Sequence, residues 1–558
     1  MLSLILLWLY VLLLSFSLGM AVLSLCRRYT GYQVLRPDSV IMTGVVALTV
    51  YAQVFSLFYK VGLAANIVLI IITIILVLLT RRDILCTGRQ IVSQLRVWQW
   101  IIWGILFVLF AYGASRGEIH YDTGLYHAQS IRWIEEIGVV PGLGNLHNRL
   151  AYNSAAFSLT ALFSVPFVAG QSLHGMSGFL AWVLACSCTR LQRFFCERRV
   201  RLSDFVRVFI IYDLTTIFNR MISPESDYFM SLVVLFLILR WCELIEERQQ
   251  AVAPYALLCV LGVCAVTFKL SAALCLLLTI KPAVMLIKER KGKEILLYLA
   301  MGIAVAAPFL IRNVILSGWL VYPFPAIDLF SVDWKIPAGI AAWDAAEIKV
   351  YGRGLTDPIL ASQPFDVWFP QWFRALGALN KLWVIGSFLS LFVCAIWGIS
   401  LFVRKLRRKS VASLDAWLVQ LTCVACFLFW LSNAPLVRYG FVFMGLSTIV
   451  LFGNIYLWVT ARWAILEIMA FRGLVILFAL WKSVSLGKQI EEDYVNDYWI
   501  AQKDYENYPV VEEKLDGQTV YVPQTGDRVG YEAFPSTNYL RPIERRGVAL
   551  KDGFRNIE

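Results

Sequence analysis

"LSLILLWLYVLLLSFSLGMAVLSL" spans residues 2–25 and contains no charged side chain. A helix needs about 20 apolar residues to cross the hydrocarbon core of a bilayer, and this run is long enough. No basic residue precedes it, as a secretory signal peptide would require, so we expect a retained membrane helix rather than a cleaved leader. The run therefore predicts a membrane protein.

The composition of the chain agrees with this prediction. Of its 558 residues, 59% are hydrophobic and 16% are charged, and the mean hydropathy is +0.68. Soluble domains are about a quarter charged. Apolar runs recur along the chain without strand-like alternation, which favours helices over a barrel. We predict an all-α polytopic membrane protein with about 13–14 transmembrane helices.

The apolar runs define the predicted topology. The candidate spans are 2–25, 39–59, 63–80, 97–113, 173–189, 205–221, 228–245, 252–268, 271–287, 295–311, 382–402, 413–431, 440–459 and 464–484. Basic clusters mark the predicted cytoplasmic ends at Arg27/Arg28, Arg81/Arg82, Arg190 to Arg201, Lys288 to Lys293 and Arg404 to Lys409. The apolar segment 153–169 breaks this alternation if it crosses, so we expect an external or re-entrant helix there.

The same positive-inside pattern explains the formal net charge of +12. No basic run is interleaved with aromatic residues as a nucleic-acid site would be, so we expect no nucleic-acid partner. Three regions follow from the topology: N-terminal helices (1–96), a membrane core (97–484) with external loops 114–152 and 313–381, and an external C-terminal α+β tail (485–558).

Ionisable residues gather at the predicted external ends of several helices. They occur in loop 114–152, in "SPESD" (223–227), at Lys269, in "RN" (312–313) and in "RY" (438–439). External loops collect polar residues in any membrane protein, but these are specific ionisable types at the very ends of helices. We therefore expect several helix ends to converge on one aqueous pocket.

The first external loop contains "IHYDTGLYHAQS" (119–130), with His120 and His127 around an aspartate. Asp122 and Tyr126 are four residues apart and would share one face of a helix. A carboxylate at a membrane–water boundary beside aromatic rings is a candidate general base or metal ligand. Aspartate is also a common N-cap, so a capping role at Thr123 is the alternative.

A second polar stretch follows in the same loop. "VVPGLGNLHNRLAYNSAAF" (139–157) joins a proline–glycine turn to Asn145, His147, Asn148, Arg149 and Asn153. Neutral hydrogen-bonding groups and one arginine suit sugar hydroxyls and a phosphate, since arginine binds phosphate through paired donors. The asparagines are equally typical of turns.

These motifs carry a resemblance. A large first external loop with an early aspartate, followed by an apolar helix, resembles the GT-C superfamily of polytopic glycosyltransferases, which use polyprenyl-phosphate-linked sugars. "YDTGLYH", "VPGLGNLHNRLAYNS", "RNVILSGWLVYPF" and "RRGVALKDGF" are more closely similar to a family of uncharacterised bacterial membrane proteins placed in that superfamily. Many members of the superfamily have a second acidic residue next to this aspartate, whereas this chain has none beside Asp122. The sequence therefore leaves open whether a divalent metal is used.

The resemblance implies an inverting transfer at the external (periplasmic) face of the bacterial inner membrane, from a polyprenyl-phosphate-linked sugar to a saccharide, lipid or protein acceptor. Asp122 would be the catalytic carboxylate. The predicted substrate-binding residues are Tyr126, His127, His147, Asn148, Arg149, Asn153, Asp227, Lys269, Arg312, Asn313, Arg438 and Tyr439. Lys269, Arg312 and Arg438 would stabilise the leaving phosphate. The alternative for these three residues is that their side chains extend to the membrane interface. The alternative for Asp227 is that it caps the N-terminus of the next helix.

Other sequence features leave alternatives open. The aromatic loop 313–381 suits a surface on membrane lipids that admits a polyprenyl chain, although an interfacial aromatic belt explains it too. An O-antigen ligase or polymerase would usually keep its arginines and histidines in a late loop. A lipid-linked saccharide transporter would favour inverted repeats and charges within mid-membrane helices.

Overall fold

The computed structural model describes residues 1–192, 199–407, 414–460, 464–494 and 497–557. Parts of two predicted basic clusters, residues 193–198 and 408–409, lie outside the described residues. The principal helices are α1 (Leu2–Thr30), α2 (Pro37–Ser56), α3 (Leu63–Gln94), α4 (Val97–Ser115), α5 (Ala128–Glu136), α6 (Ala155–Leu162), α7 (Met176–Cys188), α8 (Leu202–Thr216), α9 (Ser226–Glu246), α10 (Val252–Phe268), α11 (Leu270–Lys288, whose first half is a 3₁₀-helix), α12 (Gly292–Ser317), α13 (Ala338–Gly352), α14 (Phe365–Ala375), α15 (Ala378–Leu406), α16 (Leu414–Asn433), α17 (Val437–Thr460) and α18 (Ala464–Asp493).

Within the described ranges, eleven helices are long and apolar enough to cross a membrane. The protein is therefore a helical, multi-pass membrane protein, as predicted. Three of the fourteen predicted spans form shorter helices, because α7, α8 and α10 have 13, 15 and 17 residues. At about 1.5 Å per residue these helices fall short of the ~30 Å hydrocarbon core.

The apolar segment 153–169 is also too short to cross. Its helix α6 has eight residues, and the chain then turns at Val165, whose φ is +39°, before Pro166 begins another helical turn. Eight helical residues rise only about 12 Å. This length agrees with the prediction of a helix that does not span.

Helix α9 lies at the centre of the bundle. It is the most deeply buried of the candidate spans and contacts α7, α8, α10, α16 and α17. Helix α9 is therefore surrounded by other helices, whereas α3, α12 and α18 expose most of their apolar surface, as helices that face lipid do. Because α9 is fixed on every side, the charged residues at its two ends have well-defined partners.

A network of buried ion pairs fixes the C-terminal end of α9. Glu243 accepts hydrogen bonds from Arg36 (2.8 Å), Arg207 and Arg240, and Arg36 also pairs with Asp38. The network joins the beginnings of α2 and α8 to α9. Removing one partner of a buried pair leaves an uncompensated charge, so these contacts hold the three helices in register.

The C-terminal tail contains two small antiparallel sheets. Strands β1 (Val510–Leu515) and β2 (Gln518–Pro523) form a hairpin, and β3 (Ile543–Arg545) pairs with β4 (Phe554–Asn556). Asp516 and Gly517 both have positive φ, +47° and +80°, as a two-residue hairpin turn requires. The sequence "LDGQ" (515–518) is typical of such a turn, and "TVYVP" (519–523) is typical of a short strand.

The tail packs on the loop that precedes α5. The backbone N–H groups of Val529 and Gly530 both donate to the carbonyl oxygen of Gly124, at 3.0 and 2.9 Å. The Gln129 side chain donates to the carbonyl oxygens of Gly530 (2.9 Å) and Ala533 (2.7 Å). The tail therefore fixes the backbone immediately beyond Asp122.

This contact predicts a pH-dependent stability. Burial raises the pKa of Glu135 to about 7, although its carboxylate accepts hydrogen bonds from Tyr531 (2.5 Å) and Ser172 (2.9 Å). Because the folded pKa lies above the unfolded value of 4.5, this stabilisation is complete below pH 4.5 and is lost as the pH rises through about 7. We expect the free energy of unfolding to fall by about 3 kcal/mol across that window, measured by hydrogen exchange in the tail.

Glu135→Gln should flatten this dependence, whereas Glu136→Gln, an exposed neighbour, should preserve it. An unchanged slope in Glu135→Gln would show that another group titrates.

Candidate functional site

Asp122 lies between α4 and α5, at the start of a turn of π-helix formed by Thr123–His127. It occupies the N-cap position, but its side chain makes no capping hydrogen bond. Instead, Oδ2 accepts a hydrogen bond from Nη2 of Arg438 at 2.5 Å, and the Asp122 side chain is only 16% exposed. The geometry thus favours a largely buried, ion-paired carboxylate over an N-cap.

The charge environment keeps this carboxylate ionised. Burial by itself would raise the pKa of Asp122, but the guanidinium of Arg438 more than offsets burial and lowers the pKa below its ordinary value. At neutral pH the group is therefore ionised, and both of its oxygens are hydrogen-bond acceptors.

Arg438, at the beginning of α17, joins three carboxylates. Besides Asp122, its guanidinium contacts Oε1 of Glu225 (3.2 Å) and Oδ2 of Asp227 (3.8 Å), both at the N-terminus of α9. Lys269, at the end of α10, forms an ion pair with Asp227, and its Nζ lies 3.7 Å from the ring centroid of Tyr439. Four helix ends thus meet here, as predicted.

His120 completes this cluster. Its Nδ1 lies 2.6 Å from Oε1 of Glu225 and 3.9 Å from Oδ2 of Asp122, and its ring packs against the guanidinium of Arg438. The remaining oxygen of Glu225, Oε2, is buried without a hydrogen-bond partner among the described residues. His120, Asp122, Glu225, Asp227, Lys269 and Arg438 are called the carboxylate cluster below.

Three members of the carboxylate cluster have the donor set of a divalent-cation site. The ligand atoms of His120, Asp122 and Glu225 lie within 4.8 Å of one another. However, the guanidinium of Arg438 contacts all three side chains, so a bound ion would first have to displace it. These three residues could therefore bind a metal ion only if the side chain of Arg438 moved away. In the observed arrangement, the guanidinium of Arg438 supplies the positive charge next to them.

A cavity of about 230 Å³ adjoins the carboxylate cluster. Six of the predicted substrate-binding residues line it: Tyr126, Arg149, Asn153, Lys269, Asn313 and Tyr439. Its other walls include the apolar side chains of Phe309, Phe429 and Trp430. The lining of the cavity therefore combines hydrogen-bonding and cationic groups with apolar side chains.

Arg312 lies apart from the carboxylate cluster. Its side chain is almost fully buried, donating to Oδ1 of Asn153 (3.1 Å) and to the hydroxyl of Ser56. Arg312 thus links α12 to α2 and to the segment before α6. The structure places it behind the cavity wall rather than beside Asp122.

The two other histidines of the first loop have local contacts. His127 is buried against Tyr126 and Phe157, at ring-centroid distances of 4.3 and 5.2 Å, and burial lowers its pKa to about 3. His147 accepts a hydrogen bond from the backbone N–H of Arg149 at 3.1 Å, and burial lowers its pKa to about 3 as well. Both imidazoles are therefore neutral at physiological pH.

Asn148 and Arg149 hold α13 over the cavity. Asn148 donates to Oδ1 of Asp344 at 2.9 Å, and Arg149 pairs with Glu347 at 3.1 Å. Tyr152 also donates to Asp344, at 2.7 Å, and burial raises the pKa of this carboxyl. Loop 313–381 thus covers the cavity through α13.

The predicted substrate-binding set did not include Glu225, His120 or Asp344, although the sequence placed His120 in the first loop and Glu225 in the "SPESD" turn. Glu225 had a usable signal, because it stands two residues before Asp227 at the start of a helix. Asp344 had none, because it occurs in a segment without clear amphipathic periodicity, whose fold over the cavity depends on the whole loop.

The fold and these contacts define a multi-pass membrane protein with a buried carboxylate–arginine cluster at one end of its helical bundle. The chain belongs to a family described as a domain of unknown function, DUF8201, which matches residues 1–445. No curated protein and no solved structure matches the chain significantly. The matched region contains the entire carboxylate cluster and ends before α18 and the tail.

Proposed function

We propose that this protein is a GT-C-like membrane glycosyltransferase. It would transfer a sugar from a polyprenyl-phosphate carrier to an acceptor at the external face of the bacterial inner membrane, during synthesis of cell-surface polysaccharide or modification of lipid. The observation that carries the proposal is the ionised Asp122, held by Arg438 next to a cavity that is lined by polar, cationic and apolar side chains.

The groups present suit an inverting displacement. An acceptor hydroxyl attacks the anomeric carbon, the bond from that carbon to the phosphate oxygen breaks, and the hydroxyl proton passes to Asp122. Negative charge then develops on the leaving lipid phosphate. Lys269 lines the cavity and Arg438 borders it, so both cations are placed to stabilise that charge.

The cavity walls also suit the two parts of such a donor. Asn153 and Asn313 offer amide groups to sugar hydroxyls, and Phe309 and Trp430 offer apolar surface to the first isoprene units. Helix α14 supports a lipid-facing role for loop 313–381, since Phe365 is half exposed on an amphipathic helix.

A comparison of Lys269→Ala with Arg312→Ala tests the proposal. We expect Lys269→Ala to lower transfer by about 10- to 100-fold, because the cation that faces the cavity is removed. It should also lower stability, because the buried Asp227 then keeps only its longer contact with Arg438. Arg312→Ala should mainly lower the unfolding temperature, because it leaves Asn153 and Ser56 without their shared donor.

The assay would follow radiolabelled sugar from polyprenyl-phosphate donors in proteoliposomes, with unfolding measured on the same preparations. Absence of transfer from every polyprenyl-phosphate sugar, with a folded protein, would contradict the proposal. Equal transfer by Lys269→Ala and wild type would remove the assigned role of Lys269.

The two alternative functions, a ligase or polymerase and a transporter, predict different observations. A ligase or polymerase would use the same carriers but join longer saccharides, so the size of the product distinguishes it. A transporter would favour charges at the centres of helices, whereas Glu243 and its arginine partners lie within two turns of helix ends. This placement favours a stabilising role for that network.

A further inference from the structure

A patch of aromatic and charged side chains lies on the exposed side of the chain next to Asp122. Tyr121 contributes from the first loop, and Tyr508, Asp527 and Arg528 contribute from the tail. We call these four residues the tyrosine–arginine patch. None of them lines the cavity described above.

The contacts within the patch fix both rings. The guanidinium carbon of Arg528 lies 4.5 Å from the ring centroid of Tyr121 and 4.4 Å from that of Tyr508, so the arginine lies against both rings. The Tyr121 hydroxyl donates to Asp527, and Nη1 of Arg528 donates to the Tyr508 hydroxyl at 3.1 Å. Each ring is therefore held by a stacked cation and by a hydrogen bond at its hydroxyl.

The backbone next to Asp122 is adapted to this patch. A Cβ atom on Gly124 would lie 2.6 Å from a ring carbon of Tyr508, so only glycine allows the ring to pack this closely. The tail thus places Tyr508 directly against the turn that carries Asp122.

Tyr121 keeps 47% of its surface exposed despite these constraints. A tyrosine held so firmly at the surface contributes little to a core, and its order lowers the entropy cost of binding a ligand. An aromatic face with adjacent carboxylate and guanidinium groups suits a pyranose, whose C–H face stacks on the ring while its hydroxyls meet the charged groups.

We infer that the tyrosine–arginine patch is a saccharide subsite that binds the acceptor on the side of Asp122 away from the cavity. The inference rests on the proposed function, and it narrows the acceptor to a saccharide rather than a peptide or a lipid. The acceptor hydroxyl would then reach Asp122 from the exposed side while the lipid-linked donor occupies the cavity.

Saturation-transfer NMR on the full chain in nanodiscs tests the subsite without a donor. The probes are the methyl glycosides of glucose, galactose, mannose and N-acetylglucosamine. We expect saturation of at least one probe, a loss of fivefold or more in Tyr121→Ala, and a similar loss in Arg528→Gln. Tyr539→Ala is the matched control, because Tyr539 is 54% exposed on the same tail and stacks with Arg541.

The outcomes separate the subsite from the proposed function. No saturation in the wild type, or saturation that persists in Tyr121→Ala, overturns the subsite, and a peptide or lipid acceptor would give the first result. Binding that depends on Tyr121 but is unaffected by Asp122→Asn supports the subsite even if no sugar transfer is found. Transfer that proceeds normally in Tyr121→Ala overturns the subsite and leaves the proposed function standing.

Discussion

Asp122→Asn should reduce sugar transfer by about 10³-fold while the protein still folds and reaches the membrane. Asparagine has nearly the same shape as aspartate, but its neutral amide cannot take the proton from the acceptor's hydroxyl group. It also orients that hydroxyl only weakly. The fold should tolerate the change, because Arg438 retains Glu225 and Asp227 as partners. Transfer in proteoliposomes and thermal unfolding of the same preparation measure the two effects separately.

Asp333→Asn is a suitable control for this experiment. Asp333 forms a surface ion pair with Arg546 and is 47% exposed, so its loss should change both activity and stability little. Full activity of Asp122→Asn at matched expression would remove the catalytic role assigned to the carboxylate.

Much of the bundle follows from local sequence, because a membrane span is defined by consecutive apolar residues. The runs 2–25 and 63–80 lie within α1 and α3, both of which extend beyond the predicted ends. The prediction was less accurate for α8, because Asp204, Arg207 and Asp213 interrupt its apolar pattern. Burial of those charges depends on neighbouring helices, which local hydropathy does not describe.

The site was predictable in part for a related reason. Asp122 and Arg438 are 316 residues apart, but each stands at the end of a helix on the same predicted side, so topology brought them together. Topology does not decide which way a side chain faces at a helix end. Arg312 had the same sequence signal as Arg438, and it turns instead toward Ser56 and Asn153.

Arg438→Met should have the largest effect on stability. The substitution keeps the length of the side chain but removes the cation shared by Asp122, Glu225 and Asp227. Lys269 would still pair with Asp227, but among the described residues Asp122 and Glu225 would keep only the imidazole of His120. Removing one partner from such a buried arrangement costs about 3–5 kcal/mol, so we expect a marked fall in unfolding temperature at pH 7.

The pH dependence of this loss identifies its cause. In the wild type the lowered pKa of Asp122 contributes stability above the unfolded value of 3.8, which is lost as the pH falls. Without Arg438, burial raises that pKa, so the contribution of Asp122 reverses. The destabilisation of Arg438→Met relative to wild type should therefore shrink on acidification from pH 7 toward pH 5, in addition to the change that Glu135 causes in both proteins. Arg438→Lys keeps one positive charge but not the paired donors of the guanidinium. It should therefore lose less stability than Arg438→Met, and the contribution of Asp122 to the pH dependence should not reverse. If Arg438→Met were equally destabilised at both pH values, lost packing rather than unpaired carboxylate charge would be the cause, and the electrostatic account of Arg438 would fail.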